Sequence, residues 1–138
     1  MIPFNEIDHD YSRYNVLAVD DIPVNLLLVQ KMLSCFNFRF RTASGGQQAL
    51  DAVAAEKPDL ILLDLMMPGI DGFEVLRRLR GDPTTSDIRI VILSALNSNE
   101  DVVRGYDAGA NDFIMKPIIM DKLLSCVVEQ LRVVEVQG

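Results

Sequence analysis

The sequence contains no tryptophan, one histidine and only two cysteines among its 138 residues. These few residues, His9, Cys35 and Cys126, do not form the clustered ligand spacing of a zinc or redox site. We interpret both cysteines as small apolar side chains near helix ends and His9 as incidental. Unpaired cysteines also favour a reducing compartment, so we expect a cytoplasmic protein.

Long apolar runs and positive charge are scarce as well. No run approaches the roughly 20 apolar residues that span a bilayer, and the first residues lack the apolar core of a secretory signal. The chain carries 13 Lys and Arg against 20 Asp and Glu, a net charge of −7, whereas nucleic-acid binding needs a basic surface. We therefore expect neither membrane insertion nor direct nucleic-acid binding. The acidic surplus fits either a solvated surface or a site that holds a cation.

What the chain does contain is an alternation of two patterns. Short β-rich runs occupy residues 16–19, 38–42, 60–63, 89–94 and 112–115. Helical segments follow them at about 23–36, 46–55, 72–80, 98–109 and 119–134. This alternation predicts an α/β fold in which a parallel sheet carries helices on both faces.

Residue types that cap helices mark where several of these helices begin. Pro23 suits the first turn of its helix. Ser44 and Gln47 have the spacing of a capping box, and Asp71 and Ser98 stand at similar positions before their helices. These signals set the predicted domain at residues 15–134, with residues 1–14 as a tail or docking arm and 135–138 as a C-terminal tail.

Polar residues stand where four of the predicted strands end. They are Asp20 and Asp21, Asp64, Ser94 and Lys116. In an open α/β sheet, ligands bind outside the carboxyl ends of the strands, so we expect these side chains to meet at one edge. Clustered carboxylates repel one another, and a divalent cation that takes oxygen ligands, such as Mg²⁺, relieves the repulsion. The central carboxylate could then attack a phosphoryl group and form an acyl phosphate.

Each of these residues also has a simpler interpretation. Asp64 and the Asp20–Asp21 pair could be turn or cap residues, Ser94 a turn residue and Lys116 a solvated lysine. What the simpler interpretation does not explain is their joint placement at strand ends. The apolar stretch 118–120 is left open as either core or an exposed patch for a partner.

Together, Asp20-Asp21, Asp64 with MMPGIDG after it, Ser94-Ala95 and Lys116-Pro117 resemble the receiver domain of bacterial two-component response regulators. The resemblance runs from about Asn15 to Leu131. It implies a flavodoxin-like (βα)5 doubly wound fold, with a five-stranded parallel sheet in the order 2-1-3-4-5.

The resemblance also implies a metal site and an acceptor. Asp64 would be the phosphoacceptor, and the phosphoryl group would come from a sensor histidine kinase or a phosphotransfer protein. Such a receiver is a signalling switch that catalyses only its own phosphorylation and dephosphorylation. Mg²⁺ would be held by Asp20, Asp21, Asp64 and the backbone carbonyl of Met66.

Further roles follow from the resemblance for residues near the acceptor. Ser94 and Lys116 would contact the phosphoryl group, and the peptide bond before Pro117 is expected to be cis. Ser94 and Phe113 would act as the switch that changes the surface of the fourth helix, fifth strand and fifth helix. That surface would control a partner or output domain, and it could form a homodimer.

Four positions depart from the commonest pattern of the family. Ser94 is often a threonine, but serine keeps the hydroxyl. Phe113 replaces a frequent tyrosine, so it has no hydroxyl; as a simpler interpretation it is core filler. Met66 and Leu96 are apolar where many members are polar. Because they flank the acceptor, we expect them to shield it from water and slow the loss of phosphate.

Three rival functions are considered beside the switch. A Mg²⁺-dependent phosphohydrolase would usually need a second carboxylate two residues after its nucleophile, where this chain has Met66. A flavodoxin-like nucleotide or flavin carrier would need a glycine-rich first turn, whereas this turn reads DDIPVN. A receiver-like module that binds partners without phosphorylation normally lacks acceptor residues. Whether the domain stands alone or belongs to a longer regulator or hybrid kinase stays open.

Overall fold

The computed structural model describes residues 10–137, in which strands and helices alternate along the chain. The strands are β1 (Asn15–Val19), β2 (Arg39–Ala43), β3 (Leu60–Leu63), β4 (Arg89–Ser94) and β5 (Asp112–Met115). The helices are α1 (Pro23–Met32), α2 (Gly46–Ala55), α3 (Gly72–Gly81), α4 (Asn99–Asp107) and α5 (Met120–Gln137). All strand pairs are parallel, and the sheet order β2-β1-β3-β4-β5 confirms the predicted topology.

The sheet separates two apolar cores because successive residues of a strand point to opposite faces. In β3, Leu60 and Leu62 contribute to the core beside α1 and α5. Ile61 and Leu63 contribute to the core beside α2, α3 and α4. All four side chains are buried, which explains why this strand is apolar without interruption.

The predicted helix-start residues are confirmed at α1, α3 and α4. At α2 the predicted start at Gly46 is confirmed, but the predicted capping box is wrong. Pro23 lies in the first turn of α1, while Asp71 and Ser98 accept hydrogen bonds from backbone N–H groups of α3 and α4. At α2 the N-cap is Gly45, which has no side chain to cap the helix. Ser44 instead contacts the side chain of Gln48.

The predicted boundaries differ from the structure at two other helices. Helix α1 ends at Met32 rather than near Phe36, and a turn then carries Leu33 and Phe36 into the core. Helix α5 continues to Gln137, beyond the predicted end at residue 134. Apolar spacing therefore located these segments but did not distinguish a helix from the buried turn that follows it.

Residues 10–14, the described part of the predicted N-terminal tail, pack against the domain. Tyr11 and Tyr14 are 3% and 4% exposed, and the Tyr11 ring meets Phe36 edge-on with centroids 5.2 Å apart. Arg13 forms a 3.1 Å ion pair with Glu135 of α5. Residues 1–9, including His9, lie outside the described residues, as does residue 138.

The two cysteines differ in environment. Cys126 is buried, as predicted for an apolar filler, but Cys35 is exposed, so that interpretation is wrong for Cys35. Cys35 follows the end of α1, where the turn faces solvent. Within residues 10–137, none of the helices is both long and apolar enough to cross a bilayer.

Candidate functional site

Backbone hydrogen bonds extend the sheet by one residue beyond its central strands. The N–H of Asp64 donates to Val19 (3.0 Å), the N–H of Asp20 donates to Ala43 (3.1 Å), and the N–H of Lys116 donates to Ser94 (2.8 Å). Parallel strands put all of these carboxyl ends at one edge. The predicted site residues are thus gathered by the sheet itself.

Three carboxylates meet at this edge. Asp20, Asp21 and Asp64 each offer an oxygen, and these oxygens lie within 4.8 Å of one another. Asp20 and Asp64 are each 6% exposed. Crowded carboxylates with no histidine or cysteine among them match the oxygen-only ligand set that hard divalent cations prefer. The residues present therefore fit the predicted Mg²⁺.

Lys116 is the cation that balances these carboxylates. Its Nζ donates to Asp20 Oδ2 at 3.0 Å and lies 3.8 Å from Asp64 Oδ2. Burial raises the pKa of Asp64, the positive charge of Lys116 opposes that rise, and Asp20 adds to it. The Lys116–Pro117 peptide bond is cis, as predicted.

The loop after β3 orients the central carboxylate. Asp64 Oδ1 accepts a 3.3 Å hydrogen bond from the N–H of Met66, whose side chain is 57% exposed. Gly72 packs behind it: a Cβ there would overlap the Asp64 carbonyl oxygen and the Leu65 Cα. Our reading of the sequence missed this role of Gly72, because a glycine next to a helix cap is commonplace.

The two predicted switch residues lie on neighbouring strands. Ser94 is fully buried, and its Oγ accepts a 3.1 Å hydrogen bond from the N–H of Leu96. Phe113 pairs in register with Ile92 and is 7% exposed, within the core beside α4. Burial suits both the switch and the core-filler interpretation, so the switch role stays a prediction.

A mainly apolar cleft of about 280 Å³ adjoins the carboxylates. It lies between α1 and the start of α5, and it reaches from Leu28 and Met32 to Asp64. The open question about residues 118–120 is answered residue by residue: Ile118 packs against the core, whereas Ile119 and Met120 are exposed. Other exposed apolar side chains nearby are Ile22, Val24, Leu27 and Leu28.

Comparison with known sequences identifies the family to which this chain belongs. A family model described as "Response regulator receiver domain" matches residues 16–128. The chain belongs to this family. A receiver domain is a module of two-component signalling, a different family from the flavin carriers and phosphohydrolases considered as rivals.

Individual relatives agree with the receiver assignment. The response regulator PleD of Caulobacter vibrioides is 46% identical over 103 residues, covering 75% of this chain and 23% of PleD. The DNA-binding response regulator MtrA of Mycolicibacterium smegmatis is 41% identical over 123 residues, covering 89% of this chain and 53% of MtrA. This receiver therefore spans a quarter to about half of those bacterial relatives. Because MtrA is named as DNA-binding, the absence of direct nucleic-acid contact stays a prediction.

Solved structures agree on the receiver fold. The chemotaxis protein CheY4 of Vibrio cholerae is 29% identical and superposes with a TM-score of 0.77, covering 83% of this chain and 95% of CheY4. A receiver of a LuxO repressor protein from Vibrio parahaemolyticus is 27% identical with a TM-score of 0.84, covering 90% of this chain and 94% of that one.

Proposed function

We propose that this receiver is a phosphorylation-dependent signalling switch whose acceptor is Asp64. The observation that carries the proposal is the setting of that carboxylate: it is buried at the end of the central strand β3, beside a lysine and two further carboxylates. In this proposal the receiver catalyses only its own phosphorylation and dephosphorylation and turns over no other substrate. Met66 stands where a phosphohydrolase would need a second carboxylate, and its side chain carries no proton to transfer.

The chemistry follows from how the side chains are arranged. A carboxylate oxygen of Asp64 attacks the phosphorus of a phosphohistidine, the N–P bond breaks, and the histidine nitrogen keeps the electron pair. Asp20, Asp21, Asp64 and the Met66 carbonyl would hold Mg²⁺, which neutralises phosphoryl charge when bound. Lys116 stands ready to pair with phosphoryl oxygens, and the buried Ser94 hydroxyl can donate to one of them.

The donor is proposed to be a sensor histidine kinase or a phosphotransfer protein in the cytoplasm. Leu28 of α1 and Ile118 of the loop before α5 line the border of the cleft beside Asp64. Their sequence neighbours Leu27 and Ile119 expose further apolar surface. A protein that brings its histidine to Asp64 must cover this border. A small phosphodonor needs no such contact.

The output is proposed to act through the face formed by α4, β5 and α5. Phe113 is buried on β5 beneath α4, and Val103 and Met115 expose apolar surface on that face. Phosphorylation would change this face and allow a partner or a second receiver to bind. Sedimentation velocity with and without phosphorylation tests the homodimer, and equal sedimentation coefficients would argue against it.

Intact mass spectrometry after incubation with acetyl phosphate and Mg²⁺ tests the acceptor directly. We expect a gain of one phosphoryl mass that is lost in Asp64→Asn and in EDTA. The matched control is Asp107→Asn, an exposed carboxylate on α4, which should be phosphorylated like the unaltered chain. Transfer to Asp107→Asn but not to Asp64→Asn supports the proposal. A cognate kinase that leaves both chains unmodified would favour the module that binds without phosphorylation.

A further inference from the structure

Helix α4 has no side chain at the point where it meets the sheet. Gly105 is the buried residue of α4. A Cβ built at this glycine would lie 2.8 Å from Ile92 Cδ1, and 3.0 and 3.2 Å from two ring carbons of Phe113. The backbone of α4 therefore rests directly on the Phe113 ring and on the tip of Ile92.

This close approach has a measurable cost to the helix. A glycine inside a helix is less favourable than alanine, because its backbone loses more conformational freedom on folding. Alanine would remove that cost but place a methyl group where the ring now lies. The ring of Phe113 and the backbone of α4 thus occupy adjacent space with no side chain between them, so a displacement of either one moves the other.

The next residue of α4 forms a second connection to the same strand. Tyr106 donates a 3.1 Å hydrogen bond to Asp112 Oδ1. Asp112 also accepts from the N–H of Phe113 (2.8 Å) and from the thiol of Cys126 on α5 (3.2 Å). Helix α4 is therefore held to β5 from its inner side by Gly105 and from its outer side by Tyr106.

We propose that Gly105 is a positioning residue, which sets the buried position of the Phe113 ring and transmits ring displacement to α4. The regulatory meaning of that transmission rests on the proposed function, in which Phe113 is a switch residue. The packing itself does not depend on phosphorylation. The two parts can therefore be tested separately.

The first experiment measures the ring position in the unphosphorylated chain. Phenylalanines are replaced biosynthetically by a fluorinated analogue, and the resonance of residue 113 is assigned with Phe113→Leu. Gly105→Ala should shift or split that ¹⁹F resonance. The control is Gly81→Ala, a glycine of α3 with nothing within 4 Å of its built Cβ, which should leave the resonance in place. An unshifted resonance in Gly105→Ala overturns the proposal.

A double variant separates the two contacts and guards against misfolding. Ile92→Val removes the Cδ1 atom that lies nearest to the built Cβ, so Gly105→Ala/Ile92→Val keeps only the clash with the ring. We expect the resonance of Phe113 to stay displaced relative to Ile92→Val alone. Return of the resonance to the Ile92→Val position would assign the effect to Ile92 and overturn the role of the ring.

The second experiment asks whether α4 follows the ring. In the unaltered chain, we expect phosphorylation to change the ¹⁹F signals of Phe113 and of a fluorinated Tyr106 together. In Gly105→Ala the phosphoryl mass gain should persist, because Asp64 is untouched, while the change at Tyr106 upon phosphorylation is reduced. Full retention of the Tyr106 change would overturn the transmission. Loss of the mass gain in the unaltered chain would instead contradict the proposed function.

Discussion

The net charge around Asp64 depends on four side chains, one lysine and three carboxylates. One lysine, 3.0 Å from Asp20 and 3.8 Å from Asp64, faces three carboxylates. Negative charge therefore remains in excess at the edge of the sheet, while burial raises the pKa of Asp64. A bound divalent cation would bring two positive charges and phosphorylation of Asp64 one further negative charge, so the two together would reduce this excess.

Met66 allows a prediction about the lifetime of the phosphorylated state. Its exposed side chain follows the acceptor by two residues and presents no polar atom to orient an attacking water. We expect Met66→Asn to lose phosphate several-fold faster than the unaltered chain. The measurement is the decay of the phosphorylated mass after removal of acetyl phosphate. Val103→Asn, at a side chain of equal exposure on α4, is the control, and equal lifetimes for all three chains would disprove the shielding role of Met66.

The two thiols are predicted to differ in reactivity. Thiol reagents attack the thiolate, and burial together with the carboxylate of Asp112 raises the pKa of the Cys126 thiol. Partial burial also raises the pKa of the Cys35 thiol, so exposure to the reagent distinguishes the two. Folded protein should add one iodoacetamide, at the exposed Cys35, while the buried Cys126 stays unmodified. Cys35→Ser should add none until urea unfolds it. A second adduct on the folded chain would contradict the burial of Cys126.

Several site residues could be predicted because they interrupt a pattern. Asp64 breaks off a buried apolar run, and Lys116 precedes a proline at a strand end. The sequence predicted that Lys116 meets the carboxylates at one edge. It did not predict that the ammonium group lies closer to Asp20 than to Asp64, because that depends on side-chain positions. Gly105 gave no signal either, since a glycine in a helix does not reveal which ring lies opposite it.

Gly72, the first residue of α3, packs against the backbone of the loop that carries Asp64. Gly72 donates to the Leu65 carbonyl at 3.0 Å, and a Cβ on Gly72 would meet backbone atoms of Asp64 and Leu65. Backbone cannot move aside as a flexible side chain can, so close packing here depends on glycine. The start of α3 and the acceptor loop therefore move as one unit.

Gly72→Ala is predicted to destabilise the fold by roughly 1–3 kcal/mol, the usual cost of overpacking. Gly81→Ala in the same helix, where the added methyl meets nothing within 4 Å, should be neutral or slightly stabilising. Urea unfolding followed by circular dichroism compares the two. Equal midpoints for Gly72→Ala and Gly81→Ala would show that the loop gives way to the methyl group.

At the scale of elements, strands were predicted more accurately than helix ends. The bounds of β3, β4 and β5 match the prediction because these apolar runs end abruptly at polar residues. Helix α1 was predicted too long because Leu33 and Phe36 keep helical spacing while they enter the core from a turn. The spacing of apolar residues along the sequence does not show whether they reach the core from a helix or from a turn.

At the scale of the whole molecule, the described residues that precede β1 pack with the rest of the domain. The buried rings of Tyr11 and Tyr14 pack with Phe36 and Phe38, whose rings stack with centroids 5.3 Å apart. The Tyr14 carbonyl also accepts a 3.0 Å hydrogen bond from the N–H of Arg39, at the start of β2. We propose that the folded domain includes residues 10–14 rather than beginning at residue 15.

If residues 10–14 belong to the folded domain, a substitution there should lower the free energy of unfolding although it lies far from Asp64. Tyr11→Ala should cost roughly 3 kcal/mol, since burial of a whole aromatic ring is lost, while phosphorylation by acetyl phosphate below the unfolding temperature persists. The neighbouring Arg13→Ala removes an exposed ion pair together with a hydrogen bond and a ring contact to Tyr14, and it should cost less than Tyr11→Ala because no buried ring is lost. Thermal and urea unfolding measure both. If Tyr11→Ala is as stable as Arg13→Ala, residues 10–14 are a tail that does not contribute to the stability of the domain.

The ion pair between Arg13 and Glu135 has a consequence for how this receiver can be joined to other proteins. It holds the first and last described segments side by side, at the edge of the sheet opposite Asp64. Chain termini that lie close together let a domain be inserted into a host loop or linked in tandem without being pulled apart. A module joined directly after α5 would therefore be attached at the end of the sheet opposite Asp64, away from the acceptor.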